Sequence, residues 1–184
     1  MEEDFIIFDA LEVPLEGSNL IEASAGTGKT YSIAIGVLRL VVEKELPLKE
    51  ILMVTFTKAA VAELETRIRD FIRLAAAAAR GTAVPDEAIR TVVSRAEAEK
   101  GAGEVRKLLN DAVLLLDETS VMTIHSFCQQ TLSEFALETG QLFGCETLDD
   151  VPSLIDVEVN KFWRTRVTAI PTGMLAILRD NGLT

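Results

Sequence analysis

The chain holds one histidine and two cysteines among its 184 residues. A lone imidazole, His125, cannot anchor a metal cluster. Cys128 and Cys145 stand in neither a C-x-x-C pair nor any other ligand spacing. That usage leads us to expect a reduced, cytoplasmic compartment. No apolar signal region follows the acidic start Met1-Glu2-Glu3-Asp4, and Arg39 interrupts the best candidate for a membrane span, so no membrane partner is expected. Positive charge is also short: 18 Lys and Arg stand against 29 Asp and Glu, a net of −11. Such a balance excludes coating of nucleic acid by bulk charge, although a local basic strip can survive within it. One candidate strip runs from Thr55 to Arg80, where Lys58, Arg67, Arg69, Arg73 and Arg80 outnumber Glu63, Glu65 and Asp70.

The sequence does have enough apolar residues, 48%, to bury one proper core, and it has one stretch of pointed chemistry. A short apolar run at Leu20-Ile21 leads into Ala23-Ser24-Ala25-Gly26-Thr27-Gly28-Lys29-Thr30, and a helical pattern follows from Tyr31. Strand, glycine loop and helix form the context of a phosphate-binding loop. Small side chains let backbone N–H groups wrap a triphosphate, and the positive end of the helix dipole faces it. Lys29 would set its ammonium against the β- and γ-phosphates, and the Thr30 hydroxyl would enter the shell of a Mg²⁺ ion arriving with ATP. The loop departs from G-x-x-x-x-G-K-[ST] at its first glycine, here Ala23. The bland alternative is a glycine-rich turn that only packs helix on strand.

In chain order, Phe5 to Glu16 reads as an approach segment packing near this loop. A first strand is expected over about Asn19–Glu22 and a first helix over Lys29–Lys44. Ile51 to Thr55 is an apolar run of strand length, consistent with burial on both faces. Thr57 should cap a long helix carrying the pairs Glu63–Arg67 and Glu65–Arg69, ended at Arg80-Gly81. Further helices are expected from Asp86 to about Lys100 and from about Glu104 to Leu116. Val113 to Glu118 imitates a metal-holding strand that ends in Asp-Glu. Its periodicity is helical, so Asp117 and Glu118 read as solvated residues at a helix end. The better strand is Ser120–Ile124, before a helix from His125 to about Glu138. Phe143–Leu148 can be extended, Asp149-Asp150-Pro152 opens another helix, and a last one follows Pro171.

Three stretches in fixed order resemble motifs I, Ia and Ib of the UvrD/Rep-type superfamily 1 DNA helicases. They are Ala23 to Thr30, Val54 to Ala60 with Glu63-Leu64 and Arg67-Ile68, and Thr123 to Cys128. Ala23 is ordinary in that superfamily. The wording of Ile21–Thr30 and Thr123–Gln129 is similar to the exodeoxyribonuclease V branch. The resemblance implies an α/β, RecA-like P-loop domain with a parallel sheet, incomplete here. The motor part would span 1–128 with a helical insertion at about 71–118, and an inserted helical subdomain would begin in 129–184. It implies ATP on Gly26, Gly28, Lys29 and Thr30. It also implies a single-strand track on Thr55, Phe56, Thr57 and Lys58 and on Thr123, His125, Ser126 and Phe127. Phe56 offers a stacking face, and hydroxyls and imidazole can meet phosphate oxygens.

At whole-protein level the resemblance implies an ATP-dependent helicase and exonuclease in double-strand-break repair and recombination. It would act on single strands and duplex ends with RecC-like and RecD-like subunits. Many of these helicases read adenine with a glutamine ahead of motif I, and the candidate here is Glu16, which cannot donate to N7. An Asp-Glu-x-x-Asp strand, an arginine finger, a second motor domain and a nuclease domain are missing. The chain is therefore expected to be an N-terminal fragment, inactive alone. The rival readings are a small stand-alone P-loop kinase, for which the acidic stretch after Thr119 supplies no basic lid, and a nucleotide-gated protein-interaction module.

Overall fold

Helical periodicity builds most of the interior. The first helix, α1 (Lys29–Glu43), buries Ala34, Ile35, Leu38, Val41 and Val42, the i, i+3, i+4, i+7 stripe of a core-facing helix. The second, α2 (Lys58–Ala79), buries Leu64, Ile68, Phe71, Ile72, Ala75, Ala76 and Ala79 along one face. Its entry is fixed by Thr57, whose hydroxyl accepts the Ala60 amide at 3.1 Å. Its exit is fixed by Gly81 at φ +84°. The Gly81 amide donates to Ala78 O and the Thr82 amide to Ala77 O, the paired bonds of a Schellman stop. The third helix, α3 (Glu87–Lys100), is capped by Asp86 and buries Ile89, Val92, Val93 and Ala96. Gly101, at φ +88°, turns the chain into α4 (Ala102–Leu114), which buries Val105, Leu109 and Ala112. Each fully buried Ile or Leu in this layer contributes roughly 1.5–3 kcal/mol.

The computed structural model describes residues 8–24, 26–140, 151–174 and 177. Two compact units are distinguished, Met1–Phe135 and Ala136–Thr184. In the first, β1 (Met53–Thr55) pairs in parallel with β2 (Val121–Thr123), in the register Met53↔Val121, Val54↔Met122, Thr55↔Thr123. The crossover between them is α2, α3 and α4, so a parallel pair is joined by a purely helical excursion. Helix α5 (Ile124–Glu134) follows β2 directly. The second unit contains α6 (Ala136–Thr139) and α7 (Val151–Phe162), which runs into a π turn at Trp163–Val167. Leu154, Ile155, Val157 and Phe162 are exposed on α7. No helix among the described residues is long and apolar enough to cross a membrane.

Several expectations change. Residues 18–24 form no strand: among the described residues the ladder has only two members, β1 and β2, and Leu20 is exposed. The expected burial of β1 on both faces also fails. Ile51 and Met53 are buried, whereas Leu52 and Val54 are exposed, because the helical layer covers one face only. Neither Glu63–Arg67 nor Glu65–Arg69 forms among the described residues. Arg69 reaches Asp117 instead, at 2.9 Å. The helix expected to Leu116 stops at Leu114, and Leu116–Glu118 is a 3₁₀ turn. The helix expected from His125 to Glu138 starts at Ile124, with Thr123 as its cap, and breaks at Phe135. Phe5–Ile7, Ala25 and the extended piece at Phe143–Leu148 lie outside the described residues.

The approach segment is placed differently from expectation. Its Ala10 and Leu11 pack on the core, but it is fastened to the far half of α1. The buried Arg39 guanidinium donates to Ala10 O at 3.0 Å and Val13 O at 2.8 Å while pairing with Glu43 at 2.8 Å. Arg95 of α3 pairs with Glu12 at 2.6 Å. Arg39 lies about 15 Å along the helix from Lys29 at 1.5 Å per residue. The segment therefore braces α1 away from the glycine loop.

Candidate functional site

The loop before α1 is built from glycine geometry and one cation. Gly26 and Gly28 have φ +80° and +87°, values that L side chains rarely adopt. Gly28 is the N-cap of α1 and has no side chain to cap it, so the amides of the first turn keep no side-chain acceptor. Thr27 closes the loop by donating its hydroxyl to Ser24 O at 2.8 Å. Lys29 Nζ folds back across the mouth and donates to Ala23 O at 3.0 Å and Ser24 O at 2.6 Å. Ala23, Ser24, Thr27, Gly28 and Lys29 are thus brought together, with Thr30 half-buried beside them and Ala25 outside the described residues. Uncapped amides, a helix dipole and an ammonium form a donor set for a polyphosphate anion. The donor set fits that ligand.

A metal has little protein to hold it. No group of three or more His, Cys, Asp or Glu side chains could bind one among the described residues. The loop itself offers hydroxyls rather than carboxylates, among them that of Thr30. Mg²⁺, which keeps water and binds through phosphates, suits such a site better than a metal needing a full protein cage.

Glu16 lies elsewhere. Its carboxylate pairs with Lys44 at 2.6 Å, and Lys44 is the C-cap of α1. That contact holds the carboxyl below the ordinary glutamate range. Fifteen helical residues separate that end of α1 from the loop, about 22 Å.

The second group of candidates gathers at the carboxyl edge of the ladder. Thr55 and Thr123 are register partners, and each strand turns there into a helix N-terminus. Thr55 Oγ1 donates to Thr57 O at 3.2 Å and so shapes the turn carrying Phe56. Phe56 is 77% exposed, which a core role would not allow. Thr57 and Lys58 are exposed beside it. On the other strand, buried Thr123 accepts the Ser126 amide at 3.1 Å and shares a 2.9 Å hydroxyl contact with Ser126. This leaves His125, Ser126 and Phe127 exposed in the first turn of α5. The carboxyl ends of parallel strands are where α/β sheets receive ligands. Two adjacent helix N-termini with hydroxyls, a lysine and an aromatic face suit an anionic, stackable chain.

Asp117 and Glu118 are exposed in the 3₁₀ turn, and Asp117 is engaged by Arg69. Sequence reasoning missed one polar cluster behind the loop. Tyr31 donates its hydroxyl to both oxygens of Asp86 at 3.0 Å and meets Phe71 edge-on. Burial first, and then Asp86, push the phenol up to about 12. The cap role of Asp86 was readable before α3, but its partner, 55 positions earlier, was not.

Comparison with known proteins adds an independent line. Residues 7–170 match the family model described as UvrD/REP helicase N-terminal domain. The chain is 36% identical over 191 residues to the RecBCD enzyme subunit RecB of Escherichia coli (strain K12), covering 94% of this chain and 16% of that protein. It is 32% identical to RecBCD enzyme subunit RecB of Buchnera aphidicola subsp. Acyrthosiphon pisum, covering 91% and 15%. The subunit of the same name from Haemophilus influenzae is 33% identical, with 86% and 14% covered. The chain therefore spans between 14% and 16% of the length of these three relatives.

Proposed function

The chain belongs to the family of UvrD/REP helicase N-terminal domains, and from that membership we propose that it is the ATP-binding N-terminal part of a RecB-like DNA helicase and exonuclease subunit. The whole protein would act in double-strand-break repair and recombination, on single strands and duplex ends, with RecC-like and RecD-like subunits. The two-stranded ladder and its helices are then part of a RecA-like P-loop domain over 1–128, with the helical insertion at about 71–118. Residues 129–184 begin an inserted helical subdomain. Membership in a helicase family argues against the stand-alone kinase.

In this reading the amides of Ala23–Gly28 and the first turn of α1 bind the triphosphate of ATP, and Lys29 leaves its carbonyls for the β- and γ-phosphates. Thr30 contributes a hydroxyl to Mg²⁺. A single strand of DNA lies along Thr55, Phe56, Thr57 and Lys58 and along Thr123, His125, Ser126 and Phe127. Phe56 stacks on a base, and the two helix N-termini hold phosphates. The observation that supports this most directly is the Lys29 ammonium, held at the mouth of a glycine loop over an uncapped helix N-terminus.

The test is a titration of fluorescent Mg-ATP into the chain and into Lys29→Ala. Saturable binding in the first and none in the second is expected. Lys29 is exposed, so its loss should leave the fold intact. Absence of binding by folded wild-type chain would end the nucleotide reading. The chain alone should not turn ATP over at a helicase-like rate, since charge stabilisation needs groups from outside it.

A further inference from the structure

Helix α1 has a weak point where the site needs strength. Its N-cap is a glycine, and among the described residues no side chain accepts a bond from its first-turn amides. A glycine cap offers no side-chain oxygen to those amides, so the turn has no local side-chain anchor. Something else must hold this turn. Tyr31, the sole tyrosine, directly follows Lys29-Thr30. Its ring lies against Phe71 of α2 with centroids 5.2 Å apart and planes at 79°. Its hydroxyl reaches both Asp86 oxygens at 3.0 Å, and Asp86 Oδ1 also accepts the Ile89 amide at 3.0 Å. One carboxylate thus ties the N-terminal turns of α1 and α3 together. A phenol donating to a carboxylate makes a charge-assisted bond, stronger and more directional than a neutral one.

We propose that Tyr31 and Asp86 are a positioning pair for the glycine loop: their bond substitutes for the absent cap of α1 and holds its first-turn amides, Lys29 and Thr30 in the geometry a triphosphate requires. This rests on the nucleotide reading of that loop. Both side chains are engaged by protein partners. Tyr31 is engaged by α2 and by the start of α3, so it acts on the ligand through the backbone it anchors. The pair also gives the helical excursion a part in the site, because α3 supplies the anchor.

Two variants separate the pair from general stability. Tyr31→Phe keeps the ring and its contact with Phe71 and removes only the hydroxyl. Asp86→Asn keeps a neutral acceptor for both the tyrosine and the Ile89 amide and loses only the charge, so it should recover most of the effect. Fluorescent Mg-ATP should bind Tyr31→Phe about fivefold more weakly than wild type, and Asp86→Asn within about twofold of it. Amide hydrogen exchange at residues 32 and 33, the first bonded amides of α1, should be about tenfold faster in Tyr31→Phe without nucleotide, with the middle of α2 unchanged. Equal affinity in wild type and Tyr31→Phe would overturn the pair while leaving the nucleotide reading intact. So would unchanged exchange at residues 32 and 33, or equal acceleration throughout α2. Failure of wild type to bind would remove the nucleotide reading and this inference with it.

Discussion

Thr55 and Thr123 face each other across the last rung of the parallel ladder, although three helices separate them in the chain. They do different work at that rung. Thr55 shapes the turn that exposes Phe56, whereas Thr123 is buried and caps α5. The exposed candidates on both strands therefore depend on two hydroxyls that stay within the protein.

The Thr123 cap gives the first prediction. Thr123→Ala should cost about 1 kcal/mol of stability by freeing the Ser126 amide, and Thr123→Ser should recover most of it. Urea denaturation followed by circular dichroism would read this. Equal midpoints for all three chains would mean that the cap carries no stability.

Arg39 should be far more sensitive. Its removal strands two backbone carbonyls and the Glu43 carboxylate in a part-buried setting. A loss of about 2–4 kcal/mol is expected for Arg39→Ala. Limited proteolysis should show new cleavage within residues 8–16, and an unchanged digestion pattern would contradict the brace.

Tyr31 should make stability fall in alkali. Its folded pKa, about 12, exceeds the ordinary 10, so the folded state holds a proton that the unfolded chain gives up first. The contribution is fully present below pH 10 and is lost as pH rises from 10 through 12. Absorbance of the single tyrosinate would follow the titration directly. Tyr31→Phe should lack this component of the alkaline decline.

Asp117→Asn should leave Mg-ATP affinity unchanged and alter stability by less than about 0.5 kcal/mol, because its pair with Arg69 is largely exposed. A marked loss of Mg²⁺-dependent binding would restore the metal-holding reading of Val113–Glu118.

Local chemistry was largely legible in the sequence. Thr57 and Asp86 cap the helices they were expected to open, Gly81 ends α2, and the glycine loop leads into α1. These features are set by neighbours within about five positions, which is the range of caps and turns. What escaped depended on distant partners. Arg39 read only as a break in an apolar run, yet it clamps carbonyls 26 and 29 positions earlier. Arg69 left its expected helix partner for Asp117, 48 positions on. Leu20-Ile21 had the composition of a strand but pairs with none among the described residues, and ladder bonds need a second chain segment beside the first.

The long helical crossover between two three-residue strands has a kinetic meaning. Closing so large a loop costs chain entropy before the ladder returns anything, whereas α2, α3 and α4 can meet their sequence neighbours early. The β1–β2 rungs should therefore form last in folding and open first among the ordered parts. Mutations in the α2–α4 packing would slow folding, and mutations at Thr55 or Met122 would mainly hasten unfolding. The edge carrying Phe56 and His125 would then be the most easily remodelled border of an otherwise early-setting core.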